Sequence, residues 1–570
     1  MCCEQQARSL GLSSSTIRGR ANKQPVLMAT ATDVGGTEIE LHTQEDMIPA
    51  MVLSNRQCQQ ECLGTPSMSE PFLSDFGYLA NTPAAQEVLD GTYVPPAGMD
   101  PYLVEFLAVL KMSPSIQSRG PVSITVSPTD NSDAWRKQRE NTAAEPSCLS
   151  FAHHKTASLD RSLNYIDTVL RSIPLLVGFS PPAWQVITDV KILKKPGEFR
   201  VSKMRLIQLM SPEFQINNKL FGRRLLAHAE AANDVSPDQH GSRKHHKSIN
   251  TCLNKKLLCD SLWQKRSAGA VDINDAKGNY DRISHPIAAL TMMSYGLPQK
   301  VATLLLETLQ KSQHHIKTGF GRTEQPVYGN ETVPLSGIGQ GNGIGPTLWA
   351  LISSKLFAMM SAAGHGVHLK TSLTGSPISL VGFAFVDDTD LFIAGSDPST
   401  SGEDLVAEFQ TTLDRWAGGL IATGSALAPE KSFCYLIDFK WTGDAWEYRT
   451  MDELPGEFTL MSKDGHHAPL CCFNGAHADK TLGVFISMDG NEDAAKHHLK
   501  SMALTFGSQM RSSKCSKAAA LFTLKSSFMK SIEYVLPVTQ FSESEWNSIF
   551  SSALIPISTI PSSFNRSPTS

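Results

Sequence analysis

At 570 residues, with 41% hydrophobic and 19% charged side chains, the chain has apolar material for two or three globular domains and a large core. A net charge of −4 excludes a uniformly basic nucleic-acid coat, so any surface for a polyanion has to be local. The 11 cysteines are scattered and odd in number, the start lacks a basic-then-apolar leader, and no run of about 20 uncharged apolar residues occurs; an intracellular, reducing location without a membrane span is expected.

In chain order, residues 1–135 are rich in Ser, Thr, Pro, Gly and Gln with little sustained periodicity, and read as a flexible leader carrying one helix over 102–110. Cys58 and Cys62 have metal-like spacing, but no second ligand pair follows, and they read as ordinary thiols. An amphipathic helix is predicted near 159–173, with His153 and His154 on the polar approach to it. Residues 181–260 hold 14 Lys and Arg against 7 Asp and Glu, a local basic excess in an acidic chain. Within that window 192–200 reads as a strand and turn and 204–209 as the returning strand. A short strand ends at Asp275, a turn follows at Gly278, and a helix is predicted over 281–295, with another at 301–311. Paired strands over 318–333 lead to a Gly-rich loop, Gly337 to Pro346, that opens an apolar helix over 347–362. Beyond 400 come an amphipathic helix at 405–420, a strand at 433–439 and an insertion or extra hairpin at 441–478. Helical patterning then runs over 492–554, and the tail from 558 is Ser/Pro-rich.

The most informative stretch is Gly382-Phe383-Ala384-Phe385-Val386-Asp387-Asp388, followed by Thr389-Asp390-Leu391-Phe392-Ile393. Two apolar runs flank a tight acidic break, which reads as a hairpin with both carboxylates at its bend. Two crowded carboxylates at the end of buried strands repel each other unless a cation sits between them, and Mg²⁺ prefers carboxylate oxygen. Asp275, with Tyr280 and Asp281 after it, supplies a third acid far upstream, and Gln340-Gly341 through Pro346 lies between the two acid stretches. In that order these motifs resemble the palm of a reverse transcriptase, closest to the polymerases of non-LTR retrotransposons and group II introns.

The resemblance implies an α+β right-hand polymerase. Residues 136–265 would form the pre-palm region and fingers, and 266–490 a palm with a ferredoxin-like antiparallel sheet. Residues 491–556 would form a helical thumb, and 557–570 a loose tail. It implies an RNA-directed DNA polymerase of a retroelement, with an RNA template, a DNA or RNA primer and deoxynucleoside triphosphates as partners and two Mg²⁺ ions, or Mn²⁺ in their place, as cofactor. Asp275, Asp387 and Asp388 would hold the metals, and Lys431 would act as general acid. Lys194 or Lys195, with Arg205, would hold the triphosphate. Tyr280 would lie under the sugar and exclude a 2′ hydroxyl, beside Gln340 and Gly341. Phe385, Gln239, Arg243, Leu482 and Gly483 would contact primer or template, and the basic run 218–224 would track template phosphates. Asp272 and Asp281 read as structural or solvent-facing, and Asp390 as a turn acid. Phe385 stands where many relatives have Tyr, and Gly345 where a Ser is common. Two other readings compete: a non-catalytic, domesticated nucleic-acid-binding remnant, and an RNA-dependent RNA polymerase. The latter would be expected to carry Gly, not Val386, before the paired acids.

Overall fold

The computed structural model describes residues 25–32, 36–277, 279–371, 374–396, 399–513 and 515–558. The predicted turn at Gly278, the basic Lys514, the first 24 residues of the expected leader and the tail from 559 lie outside them.

The remainder of the expected leader is folded. Thr43 caps helix α1 (Gln44–Gln59), accepting from the Asp46 N–H, and Met47 and Met51 pack into a small core with Val26 and Ile316. Asp100 caps α2 (Pro101–Val109), with Pro at its first turn, and Leu103, Phe106 and Leu107 enter the main core. A capping box of Ser127 and Asp130 starts α3 (Pro128–Arg136), whose Trp135 is fully buried. Low periodicity misled because these elements are punctuated by Pro and Gly and their apolar residues are few; most face inward, while Leu53 of α1 is exposed. Cys62 is buried and its thiol donates to the Ser336 hydroxyl at 2.6 Å, while Cys58 is half-buried.

The chain continues through α4 (Arg161–Val177) and strand β1 (Val186–Ile192), which pairs antiparallel with β2 (Arg205–Leu209). Helices α5 (Pro212–Ala231) and α6 (Ser248–Lys265) precede β3 (Gly269–Asp275). The expected helix over 281–295 is instead a single turn at Asn279–Arg282 and then α7 (His285–Ser294). Pro286 explains the break, since it lacks the N–H needed inside a helix and is tolerated at a start. After α8 (Gln299–Gln310), β4 (Gln313–Thr318) runs parallel to β1, and two short strands, Gly321–Arg322 and Tyr328–Gly329, pair with it.

Helix α9 (Gly345–Ala362) is apolar on nearly every side and is correspondingly buried. The hairpin β5 (Gly382–Phe385) and β6 (Asp388–Ala394) is followed by α10 (Gly402–Ala422), β7 (Phe433–Ile437), β8 (Phe458–Met461) and β9 (His467–Phe473). The main sheet has the order β5-β6-β3-β7-β9-β8, antiparallel except where β7 meets β9. The inserted residues 441–478 thus extend the sheet at one edge. Alternation along the strands builds two cores: Ala270, Leu391 and Ile393 face α7, α9 and α10, while Val271, Phe392 and Phe383 face α6 and the C-terminal elements. Those elements are the hairpin β10 (Asp479–Thr481) and β11 (Val484–Ile486) and the helices α11 (Asp493–Ser512) and α12 (Glu543–Ser558). No helix among the described residues is long and apolar enough to cross a membrane.

Candidate active site

The acidic hairpin turns through Val386 and Asp387 alone, because Phe385 pairs with Asp388 in the β5–β6 register. Val386 has φ +64°, a region that β-branched residues avoid. Its surroundings enforce this. The Trp349 indole N–H donates to the Val386 carbonyl at 2.6 Å, and Gln239 Nε2 reaches the same oxygen at 3.5 Å while donating to Ser353 Oγ at 2.7 Å. Residue 241 must be glycine here, since a Cβ would lie 2.2 Å from the Val386 nitrogen. The strap 238–241 also bonds the hairpin backbone: Ala384 N–H donates to Asp238 O, and His240 N–H to Ala384 O, both at 2.8 Å.

These contacts correct two expectations. Gln239 is 0% exposed and its Oε1 accepts from the Gly241 N–H at 2.6 Å, so its side chain props the hairpin and does not face a template. Arg243 is spent on Glu230 and on the carbonyls of Ser236 and Gln239, each within 3.1 Å. The polar character of 239–247 suggested a nucleic-acid contact, but the side chains of Gln239 and Arg243 bond to the fold.

Asp275 closes the central strand directly opposite Asp388. The Ser432 hydroxyl accepts from its N–H at 3.2 Å, and its carbonyl accepts from the Ala428 N–H at 2.9 Å. Strand alternation and the turn then divide the acids between two adjoining hollows. Asp275 and Asp387 line a cleft of about 880 Å³. Asp275 and Asp388 line a smaller one of about 270 Å³ with Asp390, Asp479, Thr481 and Leu482. Lys431 borders both, its Nζ 2.7 Å from Asp275 Oδ2. Burial raises Asp387 above the usual carboxylate range, Asp275 adds to this, and Arg205 opposes it. Burial first, then the charges of Asp387, Asp390 and Asp275, pushes Asp388 up to about 6. These are hard oxygen donors whose repulsion a cation would relieve, a set that fits Mg²⁺ or Mn²⁺. The three carboxylates do not close to within 4.8 Å of one another; among the described residues the group that does is His154, Asp167 and Glu213, none of which lines this cleft.

Lys194, Arg205, Tyr280, Gln340 and Gly341 all line the larger cleft; Lys195 is exposed outside it. Gln340 O accepts from the Gln208 N–H at 3.0 Å, which binds the Gly-rich loop to β2, and its side chain donates to Asp281 Oδ2 at 3.1 Å. Asp281 is therefore a buried support, pushed up to about 6 chiefly by burial. The Tyr280 ring is half-buried, and a Cβ on Gly345 would meet it at an ordinary 3.5 Å, so packing alone does not demand glycine there. Leu482 (φ +49°) and Gly483 (φ +90°) make the β10–β11 turn, and the Leu482 carbonyl accepts from the Tyr534 hydroxyl at 2.7 Å. Phe385 is half-buried beside the acidic turn.

Asp390 is not a turn acid. It lies within β6, 3% exposed, in an ion pair with buried Lys255 at 2.9 Å. Of the basic run 218–224, Lys219 borders the larger cleft and donates to Gln138 Oε1 at 2.8 Å, whereas Arg224 turns to Asp130 and the carbonyls of Ser123 and Thr125. Gln138, Gln215 and Phe151 also line the cleft without having been singled out. Gln138 and Phe151 stand ahead of the basic window and Gln215 within it, and none belongs to a recognisable motif.

Residues 192–447 match the family model described as reverse transcriptase (RNA-dependent DNA polymerase). No curated protein matches the chain.

Proposed function

Because residues 192–447 form a reverse transcriptase family domain, with the polymerase palm fold which that family implies, we infer that the chain is the template-directed DNA polymerase of a retroelement. It would extend a primer 3′ hydroxyl with deoxynucleoside triphosphates on an RNA or DNA template. The observation that carries this reading is the convergence of Asp275 and Asp387 on one cleft with Lys194, Arg205, Tyr280, Gln340 and Lys431.

Phosphoryl transfer needs positioning and charge neutralisation more than covalent help from the protein. Bound divalent cations would supply charge neutralisation at the attacking and leaving oxygens. Asp275 and Asp387 are the residues to hold them, with Asp388 assisting from the adjoining face. Lys194 and Arg205 neutralise the triphosphate, the guanidinium by paired N–H donors. The Tyr280 ring closes the space that a 2′ hydroxyl would need, and the backbone of Gln340 and Gly341 borders the base pair. Lys431 Nζ stands in the cleft, where it can give a proton to the departing pyrophosphate oxygen. Phe385 beside the acidic turn and the Leu482–Gly483 turn are the residues to contact the primer end. In this scheme the 136–265 segment acts as fingers and 491–556 as thumb.

Primer extension on poly(A)/oligo(dT) with dTTP and Mg²⁺ tests the reading. Wild type should extend, and Asp387→Asn should lose about three orders of magnitude or more; equal extension by the two proteins would refute it. A second reading, a nucleic-acid-binding remnant without catalysis, is favoured by the Lys431–Asp275 ion pair and the spacing of the carboxylates. It predicts binding of the hybrid without extension by either protein.

A further inference from the structure

Helix α4 has its polarity inverted. Its buried face carries Asn164, Thr168 and Arg171, together with the partly buried Asp167, and turns apolar only at Pro174 and Leu175 near its C-terminal end. Asn131 donates to Asn164 and Asp167, Trp135 donates to Asp167, and Arg171 donates to Asn217. The outward face is aliphatic: Leu163, Ile166, Leu170, Ile173 and Val177 are each 40–66% exposed, flanked by exposed Tyr165, Val169 and Leu176, and exposed Leu159 stands in the turn just before the Asp160 cap. These side chains together offer on the order of 1,000 Å² of accessible surface. Each partner in a standard interface contributes about 800 Å², and the largest patch on a typical monomer is about 300–600 Å². Hydrogen bonding within the domain fixes which face points out, so the helix cannot roll to hide the stripe.

The spacing says what covers it. Within the helix, Leu163, Ile166, Leu170, Ile173 and Val177 are separated by 3, 4, 3 and 4 positions, the alternation of a helix-on-helix seam. From Leu163 to Ile173 that series reads the same in both directions about residue 168. Laid antiparallel against an identical helix, Leu163 meets Ile173 and Ile166 meets Leu170, while Val177 comes over the turn that carries Leu159. Charge agrees with this direction. Exposed Asp160 and Arg161 stand at the N-terminal end, while Lys300 donates to the Leu176 carbonyl at the C-terminal end. Antiparallel packing sets Asp160 beside the other copy's Lys300, an opposite charge, and Arg161 beside the carbonyls that end the other copy's helix, the pole that favours a cation. Parallel packing would set Arg161 against Arg161.

We propose that the outward face of α4 is the seam of a homodimer, closed by the same helix of a second copy running antiparallel about a two-fold axis near residue 168. The surface is self-complementary, as a two-fold interface must be. It lies on α4 and is independent of whether the cleft catalyses DNA synthesis.

Sedimentation velocity of the full chain at micromolar concentration tests this. Wild type should sediment as a dimer, and Ile166→Glu/Leu170→Glu as a monomer, dimerisation weakening at least about 100-fold because two charges per chain would enter an apolar seam. The far-UV circular dichroism of the variant should be unchanged, since the altered side chains face outward. Oxidative cross-linking gives a second readout above the wild-type background. Ile166→Cys/Leu170→Cys should form a covalent dimer, whereas Ile166→Cys alone should not, because antiparallel packing brings residue 166 to residue 170. A monomeric wild type, a dimer that persists in the double Glu variant, or efficient cross-linking of the single Cys variant would each overturn the proposal. A monomer whose stripe is covered by residues 1–24, by 559–570 or by another protein falls under the first of these outcomes.

Discussion

Trp349 donates its indole N–H to the carbonyl of Val386 at 2.6 Å, and that bond ties the core helix α9 to the residue of the acidic turn held at φ +64°. A β-branched residue in this conformation costs about 1–3 kcal/mol and persists only when its surroundings over-determine it. Here the surroundings are identifiable: Trp349 and Gln239 converge on one carbonyl, and Gly241 leaves no room for the turn to relax. Asp387 follows immediately, so the restraint on Val386 sets the direction of the carboxylate that faces the larger cleft. Trp349→Phe keeps most of the buried ring and removes the donor. It is expected to lose about 1–2 kcal/mol in urea unfolding and at least about 10-fold in primer extension, as misplaced catalytic groups do. Full extension at reduced stability would mean that the bond serves the fold alone.

Val386→Gly makes the opposite prediction for stability. Glycine adopts positive φ without strain, so the substitution should be neutral or stabilising by up to about 1 kcal/mol. Extension should fall, because a turn free to leave that conformation no longer fixes Asp387. Thermal melts and extension assays on the same preparation would separate the two effects.

The Tyr280 ring borders the cleft beside Gly339, Gln340 and Gly345, with its backbone carbonyl bonded to the Ile338 N–H at 2.8 Å. Its position is thus set by the main chain, and trimming the side chain should leave the loop in place. Tyr280→Ala is expected to raise ribonucleotide incorporation relative to deoxynucleotide by roughly 10- to 100-fold. Competition between UTP and dTTP measures this directly. An unchanged ratio would assign the ring to packing.

What the sequence made legible was the part governed by local rules. The hairpin around Asp387, the strand ending at Asp275, the Pro-led start of α9 and the Ser-capped start of α10 each follow from patterns within a dozen residues. What it hid depends on partners far away in the chain. Gln239 looked like a ligand contact because its role is decided by Ser353 and Val386, more than a hundred residues on. Asp390 looked like a turn acid because nothing nearby announces that Lys255 reaches it from α6. Residues 36–135 looked like a leader because short capped helices lack the long periodicity by which helices are read, although Phe72, Phe76 and Phe106 are completely buried.

Asp272 gives a pH test. It lies fully buried on β3, accepts from Asn274 Nδ2 at 2.6 Å, and is pushed up to about 8, mainly by burial. A folded-state pKa above the unfolded value means that the folded protein binds the extra proton. The contribution to stability is therefore complete below about pH 4 and is lost as pH rises through about 8, at up to about 1.4 kcal/mol per pH unit. Asp272→Asn has nearly the same shape and does not titrate. Relative to wild type it should gain stability progressively between about pH 4 and pH 8. Urea unfolding at several pH values in that range reads the difference, and parallel curves for the two proteins would show that Asp272 is not the group responsible.

Lys255 and Asp390 form an ion pair with both side chains at most 5% exposed, at 2.9 Å, and Lys255 Nζ also approaches Thr481 Oγ1 at 3.4 Å. Burial raises Asp390 and Lys255 holds it down, so each charge is tolerated only because of the other. Removing one partner strands a charge in an apolar interior, which typically costs about 3–5 kcal/mol, whereas replacing both by apolar groups of similar volume is often nearly neutral. Lys255→Met should therefore be strongly destabilising, and Lys255→Met/Asp390→Leu should recover most of the loss. The pair also joins α6 and β6 to the residue just before the Leu482 turn, so the double variant separates stability from site geometry. If it folds as stably as wild type but extends a primer poorly, the pair positions that turn; if it extends normally, the pair serves the core alone. A double-mutant cycle by urea unfolding, with extension measured on each protein, distinguishes these outcomes, and a cost below about 1 kcal/mol for Lys255→Met would show that water reaches the pair.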